Sequence, residues 1–85
     1  MQLDNHKYQI LRILGDNLKN PQPQVVDSEN IANKLRIPVS ETKSLLRVLE
    51  QNGAVVTNLD GQYSLITSMG LVLLQEKNMF LRCSL

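Results

Sequence analysis

One cysteine, one histidine and no tryptophan leave this chain few of the groups from which metal sites, disulfides and redox centres are built. Cys83 has no second cysteine to pair with, and Cys83 together with His6 cannot assemble a zinc cluster. Without a flanking thiol to resolve an oxidised form, Cys83 makes a poor redox switch. His6 lies near the N-terminus with no partner at a spacing that catalysis or metal binding requires. Phosphate loops, nucleophile elbows and carboxylate pairs placed for acid–base work are missing too, so neither enzymatic activity nor a cofactor is expected. There is no signal peptide and no apolar run long enough to cross a bilayer, which points to the cytoplasm and away from membrane partners.

Aromatic residues are scarce as well: Tyr8, Tyr63 and Phe80 are the whole set. The core must therefore be aliphatic. A basic excess is also lacking. Nine Lys and Arg stand against eight Asp and Glu, a formal net charge of +1, whereas dedicated nucleic-acid binders usually carry a large positive surplus. What remains is an ordinary folding composition, 42% hydrophobic and 20% charged over 85 residues, enough for one small domain spanning 1–85 and too apolar for disorder.

Within it, residues 4–19 place Ile10, Leu11, Leu14 and Leu18 on one helical face together with Leu3, at about 100° per residue, while Ile13 falls on the other side. Gly15 interrupts that helix at a cost of about 1 kcal/mol relative to alanine. Asn20-Pro21-Gln22-Pro23 stops it, and Gln24-Val25-Val26 is a strand-prone stub. Asp27-Ser28 offers cap oxygens to a second helix with Ile31, Ala32 and Leu35 on one face, broken at Ile37-Pro38. Ser40 is the expected cap of a third, in which Thr42, Leu45, Leu46 and Leu49 form the buried stripe and Asn52-Gly53 the stop. Residues 54–57 and 62–66 flank Asp60-Gly61, a hairpin signal. Thr67 is placed to cap a last helix across 67–85.

This order, with Ile31-Ala32-x-x-Leu35-x-Ile37 followed by Leu46-x-x-Leu49-x-x-x-Gly53-Ala54-Val55, resembles the winged helix-turn-helix transcription regulators. The later Ile66-Thr67-x-x-Gly70-x-x-Leu73-Leu74 is similar to the strand-to-helix exit of multiple-antibiotic-resistance and PadR-type repressors. The likeness covers about residues 8–75. It implies an α+β, mainly α fold with a three-helix core, a short β-hairpin wing and a C-terminal helix, with Ile37 as an inward plug between the second and third helices. Two positions depart from the family pattern. Arg36 stands where glycine is common because the chain often turns left-handed there, so the turn is expected to differ in detail. The wing tip, Asn58-Leu59-Asp60-Gly61-Gln62, carries a carboxylate and no cation, and is poorly suited to grip a minor groove.

In the family the third helix enters the major groove of double-stranded DNA. Carried over position by position, the resemblance makes Arg47 a guanine reader, Gln51 an adenine reader and Lys43 and Ser44 phosphate or base contacts, with Lys34 and Arg36 meeting the backbone and Glu41 and Glu50 flanking. The opposing reading is a solvated or protein-binding face without nucleic-acid binding, because residues 27–52 balance Lys34, Arg36, Lys43 and Arg47 against Asp27, Glu29, Glu41 and Glu50. Residues from Met69 to Leu74 are apolar around the helical wheel, and Met79, Phe80, Leu81, Cys83 and Leu85 follow. Such a helix needs cover on every side, so a homodimer through the first and last helices is expected, with Ile13 joining the same patch.

Overall fold

Burial of Ile10, Leu11 and Leu14 winds the first segment into α1, Asn5–Asn17. The computed structural model describes residues 5–19, 25–58 and 61–83, the last seven of these without their side chains. Leu3, the proline stop at 20–23, Gln24, the hairpin-tip pair 59–60 and the side chains of Met79, Phe80, Leu81, Cys83 and Leu85 lie outside that description. Leu18 does not join the buried stripe. It falls past the end of α1, in a turn closed by its N–H to the Gly15 carbonyl (3.1 Å), and is 38% exposed. Gly15 is buried, and a Cβ there would lie 3.0 Å from Leu74 Cδ2, so its lack of a side chain lets the last helix approach α1.

A two-residue strand, β1 (Val26–Asp27), leads directly into α2, Ser28–Leu35. Asp27 caps α2: its Oδ1 accepts from the Glu29 N–H at 2.9 Å. Ser28 does something other than cap. Fully buried, it donates its N–H to the Gln62 carbonyl (2.8 Å) and its hydroxyl to the Gly61 carbonyl. α2 ends at Arg36, whose φ of 58° and ψ of 44° are left-handed. The Arg36 and Ile37 N–H groups both donate to the Ala32 carbonyl. The turn thus keeps the left-handed geometry in spite of its side chain.

α3, Val39–Gln51, starts earlier than its serine suggested. Pro38, not Ser40, is the cap residue, held extended at ψ 149° with no side-chain cap bond. Proline lacks an N–H, so it suits a position where that donor would be unpaired anyway. Ser40 is carried into the first turn. Thr42 then bonds its hydroxyl back to the Pro38 carbonyl at 3.2 Å, which lets a buried polar side chain sit among Leu46 and Leu49. The helix stops in a Schellman motif: Ala54 N–H donates to the Leu49 carbonyl and Gly53 N–H to the Glu50 carbonyl, both 2.9 Å, with Gly53 at φ 76°. Ile37, in the turn between α2 and α3, is half-buried and is not part of the central cluster, which Leu46 joins and Leu35 packs against.

β2 (Val55–Asn58) and β3 (Tyr63–Ile66) pair antiparallel, Val56 opposite Leu65, and β1 joins the other edge of β3 with Val26 opposite Ser64. The sheet order is therefore β1-β3-β2. Thr67 then caps α4, Ser68–Cys83, accepting from the Gly70 N–H at 3.1 Å while its own hydroxyl donates to the Gly53 carbonyl. Among the described residues this makes four helices and a three-stranded antiparallel sheet, an α+β and mainly helical architecture. No helix among them is long and apolar enough to cross a membrane.

The core gathers Ile10, Leu11 and Leu14 of α1, Ile31 of α2, Leu46 and Leu49 of α3, and Val26, Ala54, Val55 and Ile66 around the sheet. It is aliphatic throughout, and each fully buried Leu or Ile contributes about 1.5–3 kcal/mol of transfer free energy. Of the buried polar side chains, Ser28 and Thr42 are hydrogen-bonded and Ser64 stands apart. Ser64, 1% exposed in β3, has a hydroxyl with no hydrogen-bond partner among the described residues. A buried unpaired hydroxyl costs about 1–3 kcal/mol. Ser64→Ala is therefore expected to stabilise the fold by about 1 kcal/mol, seen as a higher urea midpoint at unchanged m-value. A lower midpoint would show that the hydroxyl is satisfied in solution.

Candidate nucleic-acid interface

Burying Thr42, Leu46 and Leu49 fixes the rotation of α3, and the opposite side is turned outward. At about 100° per residue that outward side carries Ser40, Ser44, Arg47 and Gln51, all exposed. Ser40 is an addition to the expected set, hidden in the sequence because a serine at a helix start reads first as a cap. Ser44 donates its hydroxyl to the Ser40 carbonyl at 3.1 Å, which leaves its lone pairs rather than its proton for an incoming donor. Arg47 projects from mid-helix with its five guanidinium donors free of any partner among the described residues. Lys43 is half-buried on the flank nearer the hairpin, its stem beside Gly61.

The two acids of α3 are held at the margins of this face. Glu50 reaches sideways to β2, the outer strand of the sheet, where its Oε2 accepts from the Thr57 N–H (3.0 Å) and the Thr57 hydroxyl (2.7 Å). Glu41 leans the other way, its Oε1 4.0 Å from His6 Nδ1 on α1, an ion pair whenever the imidazole is protonated. Neither contact was legible in the sequence, since both join residues of separate elements. They matter because a carboxylate at the centre of the face would repel phosphate.

The turn end of the hairpin is fastened to the start of α2. Besides the two Ser28 bonds to Gly61 and Gln62, the Gln62 amide donates to Asp27 Oδ1 at 2.6 Å, the same oxygen that caps α2. Gly61 is buried and at φ 85°.

The six site residues do not all converge. Lys43, Ser44, Arg47 and Gln51 share α3, and Arg36, exposed, occupies the left-handed turn just before it. Lys34 is the exception. It stands on the flank of α2 facing α1, lining a groove with Ile13 and Asp16, because Ile31, Ala32 and Leu35 turn inward and leave that flank to residues 30 and 34. Ile13 likewise faces α2 and packs half-buried against the core, which removes it from any patch on α4. No group of His, Cys, Asp and Glu among the described residues is placed to hold a metal ion.

The strain at Arg36 gives a test with two readouts. A non-glycine residue in the left-handed region costs about 1–2 kcal/mol, partly offset by the greater unfolded-state freedom of glycine. Arg36→Gly is expected to stabilise by about 0.5–1 kcal/mol and, if this guanidinium meets phosphate, to weaken DNA binding. A variant that loses stability would show that the Arg36 side chain supports the turn.

No protein-family model, curated protein or solved structure matches this chain.

Proposed function

We propose that the chain is a winged helix-turn-helix domain that binds double-stranded DNA as a dimeric transcription regulator, inserting α3 into the major groove. The observation that carries this reading is the outward face of Ser40, Ser44, Arg47 and Gln51, with Glu50 drawn to one edge by Thr57 and Glu41 at the other edge beside His6. The abrupt left-handed turn between α2 and α3 and the fastening of the hairpin to α2 support the winged-helix arrangement. Arg47 offers a bidentate fork to guanine and Gln51 to adenine, while Lys43 and Arg36 supply phosphate contacts. The hairpin, without a cation at its tip, takes no minor-groove role.

A neutral segment binds weakly as a monomer, and association compensates. Met69 and Val72 are 53% and 47% exposed on α4, and Leu71 is exposed beside them, an apolar surface that supports pairing through α4 and α1. Two linked half-site readers gain about 10²- to 10⁴-fold in affinity over one. Sedimentation at two protein concentrations is expected to show a dimer; a strictly monomeric species would remove this part of the proposal.

Anisotropy of a labelled mixed-sequence duplex tests DNA binding. With two to four phosphates met per subunit, log Kd is expected to change with log salt at a slope of about 0.9 per phosphate. No binding at low salt up to millimolar DNA would reject the reading. The second reading, a winged-helix protein-interaction module, is favoured by the charge balance of residues 27–52 and the exposed apolar side of α4. It predicts that same silence.

A further inference from the structure

Between α1 and α2 runs a trough whose two adjoining cavities, about 260 and 320 Å³, share Ile13, Asp16 and Lys34. Ile13, Leu35 and Val26 supply its apolar surface, and Arg12 and Lys34 stand exposed at its sides. Its single carboxylate, Asp16, is already paired with Lys19 at 3.5 Å, whereas no described carboxylate pairs with Arg12 or Lys34. Two cations thus face one paired carboxylate; the apolar floor is the part around Ile13 and Leu35, while Asn17 and Asn30 make the part beside Val26 polar. We propose that it docks an acidic, amphipathic peptide segment of another protein, apolar side chains seated on Ile13 and Leu35 and carboxylates on Arg12 and Lys34.

The occupant follows from three features. An open trough cannot wrap most of a small molecule, as ligand pockets do. Duplex DNA would gain nothing from the apolar floor, because its outer surface is phosphate and sugar. A polypeptide with apolar anchors a helical turn apart and acids between them satisfies both the floor and the sides. No residue of α3 takes part, so the proposal stands apart from DNA binding and its test contains no DNA in the principal arm.

The probe is a synthetic, end-blocked peptide of about 12 residues with two leucines one helical turn apart and glutamates around them, set against its counterpart with lysine at every glutamate. Methyl-resolved NMR of the full chain is expected to show shifts at Ile13, Leu35 and Val26 with the acidic peptide and none with the lysine counterpart. The Arg12→Glu, Lys34→Glu double variant is expected to bind the acidic peptide at least about tenfold more weakly, with an unchanged circular dichroism spectrum, both residues being exposed. Silent methyls at millimolar peptide, or equal binding of the lysine counterpart, would overturn the proposal. So would equal shifts from octanoate, which would mark a small-molecule site, or from duplex DNA.

Discussion

Gly70→Ala is expected to destabilise the protein by about 3 kcal/mol or more, because of the four glycines it has the closest neighbours to an added Cβ. Gly70 lies one turn into α4, where the helix crosses the start of β2. A Cβ at that position would fall inside contact distance of the Ala54 carbonyl oxygen and 2.6 Å from Ile66 Cγ1. The first of these is backbone. It belongs to the carbonyl that receives the Thr67 N–H at 3.0 Å, so it cannot yield without loosening the α4 cap and the end of the β2–β3 pairing. Alanine would normally favour a helix by about 1 kcal/mol over glycine; here the clash outweighs that gain. For a domain of this size, whose total stability is about 4–13 kcal/mol, the variant sits near the threshold of folding at 37 °C. Urea unfolding measures it: a midpoint within error of the parent would mean that α4 crosses the sheet differently.

Arg47→Ala is expected to weaken binding to a specific duplex by about 1–3 kcal/mol per half-site, roughly 5- to 150-fold, and to relax preference at one base position. Stability should stay within about 0.5 kcal/mol, because an exposed side chain without a described partner supports no other contact. Lys43→Ala contrasts with it. A phosphate contact carries no sequence information, so that variant is expected to weaken all duplexes alike and to lower the salt slope by about 1 per subunit. Unchanged affinity in the Arg47 variant would remove it from the site.

Local chemistry was legible in the sequence; long-range contact was not. Asp27, Thr67 and Gly53 act through residues a few positions away, and each does what its type and place suggested. The stripe of α3 was readable because its burial follows helical periodicity. Ser40 misled because Pro38 can begin a helix without a side-chain bond. Leu18 failed because two hydrogen bonds to Gly15 and Asp16 ended the helical run before its turn came round to the core. The resemblance puts Lys34 on the DNA backbone and periodicity puts Ile13 on the outer side of α1, yet each lies where α1 and α2 meet, a juxtaposition that no spacing within either helix records. Arg36 shows the reverse case. The missing glycine suggested another turn, but the Arg36 and Ile37 N–H bonds to the Ala32 carbonyl close the left-handed one.

The engagement of Glu50 by Thr57 and of Glu41 by His6 is the part of the site furthest from sequence reasoning, and it bears most on function. In the linear count these acids cancel Lys43 and Arg47. In space they border the face, Arg47 stands within it, and Lys43 lies on its hairpin flank.

Amide shift mapping of the labelled protein with a duplex, at low and at raised salt, tests the central claim most directly. Changes at Ser40, Ser44, Arg47 and Gln51 that collapse as salt rises are the predicted result. Changes confined to α1 and α4, or none at all, would contradict it.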